Sequence, residues 1–128
     1  MSRPVHFEIH AENPDRAMAF YKAVFGWTFQ KFGAFDYWTI TTGPENEPGI
    51  NGGLIRRQGP PPGPQAPVHG YVCTISVVNV DTAAEAVRKA LGLVVVPKMS
   101  IPGVGWLVYC KDTESNIFGI MHEDREAK

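Results

Sequence analysis

The feature that most constrains what this chain can fold into is that it repeats itself once. Residues 66 positions apart carry the same punctuation: Asn13 with Asn79, Asp15 with Asp81 and Gly26 with Gly92. The same spacing pairs Ile9 with Ile75, Ala17 with Ala83, Lys22 with Arg88, and Gly53-Leu54 with Gly119-Ile120. Two copies of a unit about half the chain long mark an internal duplication. Stacked solenoids need about three repeats or more, so two copies argue for a paired or closed arrangement instead.

Each copy reads in the same order. Asn13-Pro14-Asp15 opens an apolar-periodic stretch through Ala17, Met18, Phe20, Tyr21, Val24 and Phe25 that stops at Gly26. That is a capped amphipathic helix with proline at its first position. Asn79-Val80-Asp81 opens the second, through Ala83, Ala84, Ala86, Val87, Ala90 and Leu91, and Gly92 stops it. The two helices are expected to match in length and both to end on glycine. A β-like run precedes each helix (5–10 and 72–77), and three follow it: 27–32, 35–41 and 52–56 in the first half, 93–99, 105–110 and 116–121 in the second. The expected fold class is therefore α+β, two βαβββ modules, with module one at 1–57 and module two at 69–124. Between them, 58–68 is rich in proline and glycine, lacks amide donors at several positions and reads as an extended linker.

Charge and composition exclude some functions. A formal net charge of −1, with both signs interspersed, leaves no basic stripe for a nucleic-acid partner. No apolar run approaches the roughly 20 residues of a membrane span, and the charged start is unlike a signal peptide, so a cytoplasmic location is expected. Cys73 and Cys110 each sit in a β-like run without metal-ligand spacing, and both are expected to be buried free thiols. Gly43–Gly49 and Gly52-Gly53 lack the strand-loop-helix setting of a phosphate cradle and are assigned to turns.

The helix line Ala19-Phe20-Tyr21-Lys22-Ala23-Val24-Phe25-Gly26-Trp27, set in a duplicated βαβββ pattern, resembles the vicinal oxygen chelate superfamily. That superfamily holds glyoxalase I, bleomycin- and fosfomycin-resistance proteins and extradiol dioxygenases. Asp112-Thr113-Glu114-Ser115-Asn116 followed by Ile117-Phe118-Gly119-Ile120 is similar to its Asp-Pro-x-Gly-Asn turn and last strand, with Thr113 and Ser115 in place of Pro and Gly. The resemblance covers essentially the whole chain and implies one glyoxalase-like domain over 1–128, with curved mixed sheets enclosing a cleft. In metal-using members, His and Glu side chains on the first and last strands of the modules hold a divalent ion. Carried over, those places fall on His6, Gly53, Val72 and Gly119, of which only His6 has a donor side chain. One imidazole is far short of the three protein ligands usual in a catalytic site. No cofactor is therefore expected, with a divalent metal left open.

The residues that could do chemistry are few. His6, Glu8 and His10 alternate along the first strand and share a face, but at about 3.3 Å per residue the two histidines are too far apart for one ion. His6 and Glu8 are candidates to line the cleft or transfer a proton. Glu8 is the sharper general-base candidate because a partly apolar cleft raises a carboxylate pKa. Tyr37, Trp38, Trp106 and Tyr109 fall in the third strands and could supply an aromatic lining, with Trp38, Trp106 and Tyr109 joining Arg56 in the candidate cleft. His69 and His122 are read as surface residues. The expected function is binding of a small organic molecule in the cleft, without nucleic acid or membrane, by a homodimer. The alternative is a lyase, isomerase or dioxygenase-type enzyme using Glu8 or His6, with or without a divalent metal. A protein-interaction module is a third class.

Overall fold

The structure is a computed structural model that describes residues 3–68 and 70–128; His69, one of the two histidines read as surface residues, lies outside the described residues. The chain forms two compact units, Met1–Pro61 and Pro62–Lys128. The first contains β1 (Phe7–Ala11), α1 (Pro14–Phe25), β2 (Thr28–Lys31), β3 (Tyr37–Thr41) and β4 (Gly52–Arg56). In the second are β5 (Thr74–Ser76), α2 (Val80–Lys89), β6 (Leu93–Ile101), β7 (Gly105–Lys111) and β8 (Ile117–Glu123). Each unit is an open four-stranded mixed sheet, in the orders β1-β4-β3-β2 and β5-β8-β7-β6. This is the α+β, βαβββ pattern twice over.

Register carries the duplication into space. The parallel pair β1 and β4 sets Glu8 beside Gly53 and Ile9 beside Leu54. The parallel pair β5 and β8 sets Thr74 beside Gly119 and Ile75 beside Ile120. All four partners in one unit stand 66 residues from their counterparts in the other. Within each sheet, side chains alternate between the face that carries the helix and the face turned away from it.

The helix face is the core. In the first unit Ala11, Ala17, Phe20, Tyr21, Ile40 and Leu54 are buried. Trp27, at the start of the run into β2, stacks on Tyr21 with ring centroids 5.0 Å apart and planes within 3°. It also meets Phe25 at 5.3 Å and Phe7 at 5.8 Å, so one indole ties the helix to the first strand. In the second unit, Val80, Ala84 and Val87 of α2 pack over Val108, Cys110, Phe118 and Ile120.

Both helices begin as the sequence specifies. The Asn13 side chain accepts from the Arg16 backbone N–H at 3.1 Å, with Pro14 opening the helix. Asn79 accepts from Asp81 and Thr82 at 2.8 and 3.1 Å. Their ends differ, which corrects the expectation of equal length and equal stops. α1 has 12 residues and closes on Gly26 in the left-handed region at φ 73°, whose N–H reaches the Lys22 carbonyl at 2.9 Å. α2 has 10, and the left-handed residue is Leu91, at φ 74°. Leu91 N–H bonds the Arg88 carbonyl at 3.0 Å and Gly92 N–H the Val87 carbonyl at 2.8 Å, a two-bond Schellman closure in which glycine comes one position late.

Three smaller expectations are also corrected. β5 begins at Thr74, so Val72 and Cys73 precede it and Cys73 is exposed; only Cys110 is buried, and burial pushes its thiol up to about 11. Gly52 and Gly53 lie inside β4, as the β-like run over 52–56 has them, and not in the turn also assigned to the pair. His122 is half-buried rather than simply exposed: its Nδ1 accepts the Val80 N–H at 2.9 Å at the start of α2.

Left-handed backbone costs about 1–2 kcal/mol for a side chain with a Cβ. Leu91→Gly and Ser115→Gly, the latter at φ 66°, are each expected to raise the unfolding free energy by up to about 1 kcal/mol in urea titrations. A loss at either position would mean that its side chain makes contacts worth more than the strain. In the native protein, iodoacetamide at mildly alkaline pH is expected to alkylate Cys73 alone, and mass spectrometry finding Cys110 modified equally fast would contradict its burial.

Candidate functional site

The open face of the first sheet gathers most of the polar candidates. By alternation and register, Glu8, His10, Gly53, Tyr37 and Thr39 point away from α1. His6 stands just before β1, which starts two residues later than the sequence suggests, and its Nε2 lies 3.1 Å from the Tyr37 hydroxyl. Glu8 Oε1 pairs with His10 Nε2 at 2.9 Å, with the two side chains 43% and 46% exposed. Such exposure removes the apolar surroundings that the general-base expectation for Glu8 relied on. Two hydrogen-bonded pairs, His6–Tyr37 and Glu8–His10, thus lie along one strand.

Tyr37 decides what this face can hold. A Cβ added to Gly53 would run into the Tyr37 hydroxyl and ring, so the phenol lies across the place where a side chain at Gly53 would project. Glycine is required there because Tyr37, on the adjacent strand β3, has already filled the space. Register also places Glu8, not His6, directly beside Gly53. In the second unit the corresponding partner of Gly119 is Thr74, while Val72 lies before the strand. A Cβ at Gly119 would meet Thr74 Oγ1 at 3.2 Å, Leu107 Cδ1 at 3.3 Å and Tyr109 Cε1 at 3.4 Å. Among the described residues no three His, Cys, Asp or Glu side chains converge as a metal-binding group.

The remaining candidates separate. Trp38 is paired with Leu54 and shares its helix-side face, with Lys31 Nζ 5.8 Å from its ring. Trp106 is opposite His122, also on the helix side; its Nε1–H donates to Asp124 at 3.0 Å and Lys98 Nζ sits 4.8 Å from its ring. That indole donor, with the Glu126 backbone N–H, holds the Asp124 carboxyl below its ordinary value. Both tryptophans therefore take the helix side of their own sheets, because strand pairing puts them an even number of residues from core positions. Tyr109 stays on the open side of its own sheet, beside Gly119. Arg56 is a clamp: its Nε donates to Asp36 at 2.7 Å and a terminal nitrogen to the Glu12 carbonyl at 3.2 Å. The Arg56 hydrogen bond, aided by its charge, holds the Asp36 carboxyl low. Sequence reasoning noticed Tyr37 only as one aromatic among four. Its tie to Gly53 depends on a sheet register that spacing alone does not give.

If Tyr37 is what forbids a side chain at Gly53, Gly53→Ala is expected to cost about 2 kcal/mol in the wild-type background and less than about 0.5 kcal/mol when Tyr37 is already alanine. Equal costs in both backgrounds, measured by urea unfolding, would show that the obstacle lies elsewhere.

Comparison with known proteins agrees with this frame. Residues 3–43 match the family model described as bleomycin resistance protein-like N-terminal. No curated protein matches the chain by sequence. Among solved structures, a glyoxylase/bleomycin resistance protein/dioxygenase domain from Frankia sp. EAN1pec superposes with a TM-score of 0.72 at 18% identity, covering 97% of this chain and 99% of its own. A glyoxalase/bleomycin resistance protein/dioxygenase family enzyme from Burkholderia phytofirmans PsJN gives 0.71 at 14%, over 93% and 97%. The fosfomycin resistance protein FosX from Mesorhizobium loti gives 0.69 at 15%, over 97% and 94%. The chain thus has the fold of these glyoxalase/bleomycin-resistance/dioxygenase structures, and its N-terminal third matches the bleomycin resistance protein-like N-terminal model.

Proposed function

We propose that this protein binds a small organic molecule, without the divalent metal that many chains of its fold use. The observation that carries the reading is the Tyr37 phenol lying over Gly53. The places to which the family resemblance carries the ligands hold two glycines and a valine, and the one imidazole among them, His6, is engaged with that same phenol. This donor set does not suit a divalent ion, which needs about three protein side chains with oxygen, nitrogen or sulfur. What the open face of the first unit offers instead is hydrogen bonding to a ligand's polar atoms: a phenol and imidazole on one side, a carboxylate and imidazole on the other. Tyr109 adds an aromatic surface on the open face of the second unit. In this reading the protein works in the cytoplasm as a homodimer, with no nucleic-acid or membrane partner; among the described residues no helix is long and apolar enough to cross a membrane.

A second reading rests on the Glu8–His10 pair. A carboxylate hydrogen-bonded to an imidazole at 2.9 Å can take a proton from a substrate carbon or oxygen, which keeps a lyase or isomerase in view. The two readings part at Glu8→Gln. A base is lost with turnover falling by about a hundredfold or more at nearly unchanged affinity, whereas a binding contact is lost as affinity alone.

The first test is thermal unfolding with zinc, nickel, manganese and ferrous iron titrated to micromolar levels, beside metal analysis of the dialysed protein. The expected result is no stoichiometric ion and no rise in Tm. One tightly held ion per chain with a rising Tm would overturn the metal-free reading.

A further inference from the structure

The two units carry a groove in the same place, between the outer side of the helix and the edge strand. In the first unit it is lined by Met18, Ala19 and Lys22 of α1 with Trp27, Thr28 and Phe29, and forms a half-open depression of about 420 Å³. In the second, Ala84 and Arg88 of α2 face Val94, Pro97 and Lys98 of β6, and the volume is about 220 Å³. The match follows the repeat: Met18, Lys22 and Thr28 stand 66 residues before Ala84, Arg88 and Val94. The duplication therefore supplies an internal comparison of one groove in two versions.

They differ in how the cation is treated. Arg88 pairs with Glu85 at 3.6 Å, three residues back on the same helix, and Lys98 pairs with Asp81 at 3.1 Å. The residue equivalent to Glu85 in the first unit is Ala19. The pair that holds Arg88 therefore has no counterpart beside Lys22, whose ammonium makes no ion pair among the described residues. Lys22 complements the carbonyl end of α1, but an ammonium has three donors and that role leaves donors free. The lining beside it is largely apolar: Met18, Phe29 and the small exposed part of Trp27, whose indole also packs on Tyr21 and Phe25. No carboxylate lines the groove.

We infer that the α1–β2 groove of the first unit is a binding site for a flat aromatic monoanion, its ring on Met18, Phe29 and Trp27 and its carboxylate on Lys22. The volume suits a molecule of one or two fused rings, and an unpaired cation at the rim of an apolar floor favours an amphipathic anion over a neutral or cationic ligand. The site lies on the helix side of the sheet and does not depend on the open-face reading of His6, Glu8 and Tyr37.

The test is an NMR titration of the full chain with naphthoate and, as the uncharged analogue, naphthylmethanol. Naphthoate is expected to saturate, to bind about tenfold more tightly than the alcohol, and to shift the Trp27 indole and the Thr28 and Phe29 amides. Lys22→Gln removes the cation, and Ala19→Glu installs the pairing of the second unit. Both are expected to weaken naphthoate about tenfold while leaving the alcohol within about twofold; Ala19→Gln, which adds the bulk without the charge, is expected to keep the preference for the anion. Equal affinity for acid and alcohol in the wild type, no loss with Lys22→Gln or Ala19→Glu, or shifts centred on His6, Glu8 and Tyr37 would each overturn the proposal. The last of these would at the same time support ligand binding on the open face.

Discussion

The parallel ladder between the first and last strand of each unit is the constraint on which the rest depends. Ile9 beside Leu54, and Ile75 beside Ile120, fix which residues meet the helix and which turn away. A slip of one residue would carry every side chain to the other face, exposing Leu54 and Ile120 and burying Glu8. Both core residues are fully buried, so the hydrophobic cost of such a slip holds the register firmly. Glu8, Gly53, Thr74 and Gly119 are where they are because their apolar neighbours along the chain must point inward. The candidate site is a consequence of the core.

That dependence explains what could be read from sequence and what could not. Helix starts were legible because capping is local: Asn13 and Asn79 act within three residues of themselves. The succession of strands and helices along the chain and the duplication were legible because both leave a spacing in the chain. Which face Trp38 and Trp106 take was not, since it depends on partners Leu54 and His122 that sit 16 residues away in each case. Spacing within β3 and β7 also differs between the units. Trp38 is level with Leu54, but the residue level with Ile120 is Val108, so the third strands are shifted by four residues relative to the 66-residue repeat. Aromatics that look matched along the sequence are therefore not matched in space. Leu91 was missed for a different reason. A glycine one position later drew the reading, although the chain can bend at a leucine when two backbone hydrogen bonds compensate for the strain.

The glycines of β4 show how one aromatic can settle the chemistry of a face. Gly52 lies under the Phe7 ring, with ring carbons 2.8 Å from where its Cβ would be, and Gly53 lies under Tyr37. Adjacent strand residues point to opposite faces, so the pair accommodates one aromatic on the core side and one on the open side. Phe7 then reaches Trp27 and joins the core, while Tyr37 reaches His6 and closes the space beside Glu8. A carboxylate at position 53 would need the phenol to leave, and the His6 hydrogen bond and the edge-on contact with Phe32 at 6.1 Å both keep it in place.

The two units share a frame but have diverged on both sides of their sheets. On the open side, the first presents two histidines, a carboxylate and a phenol, whereas around Gly119 the second presents Thr74, Leu107 and Tyr109. On the helix side, the groove cation of the first has no ion pair among the described residues, whereas that of the second lies 3.6 Å from Glu85. Neither change touches the buried ladder of Ile9, Leu54, Ile75 and Ile120, and neither alters the caps at Asn13 and Asn79. A duplicated fold of this kind can vary its exposed side chains one module at a time, because the register that holds each sheet is set by residues that face the other way.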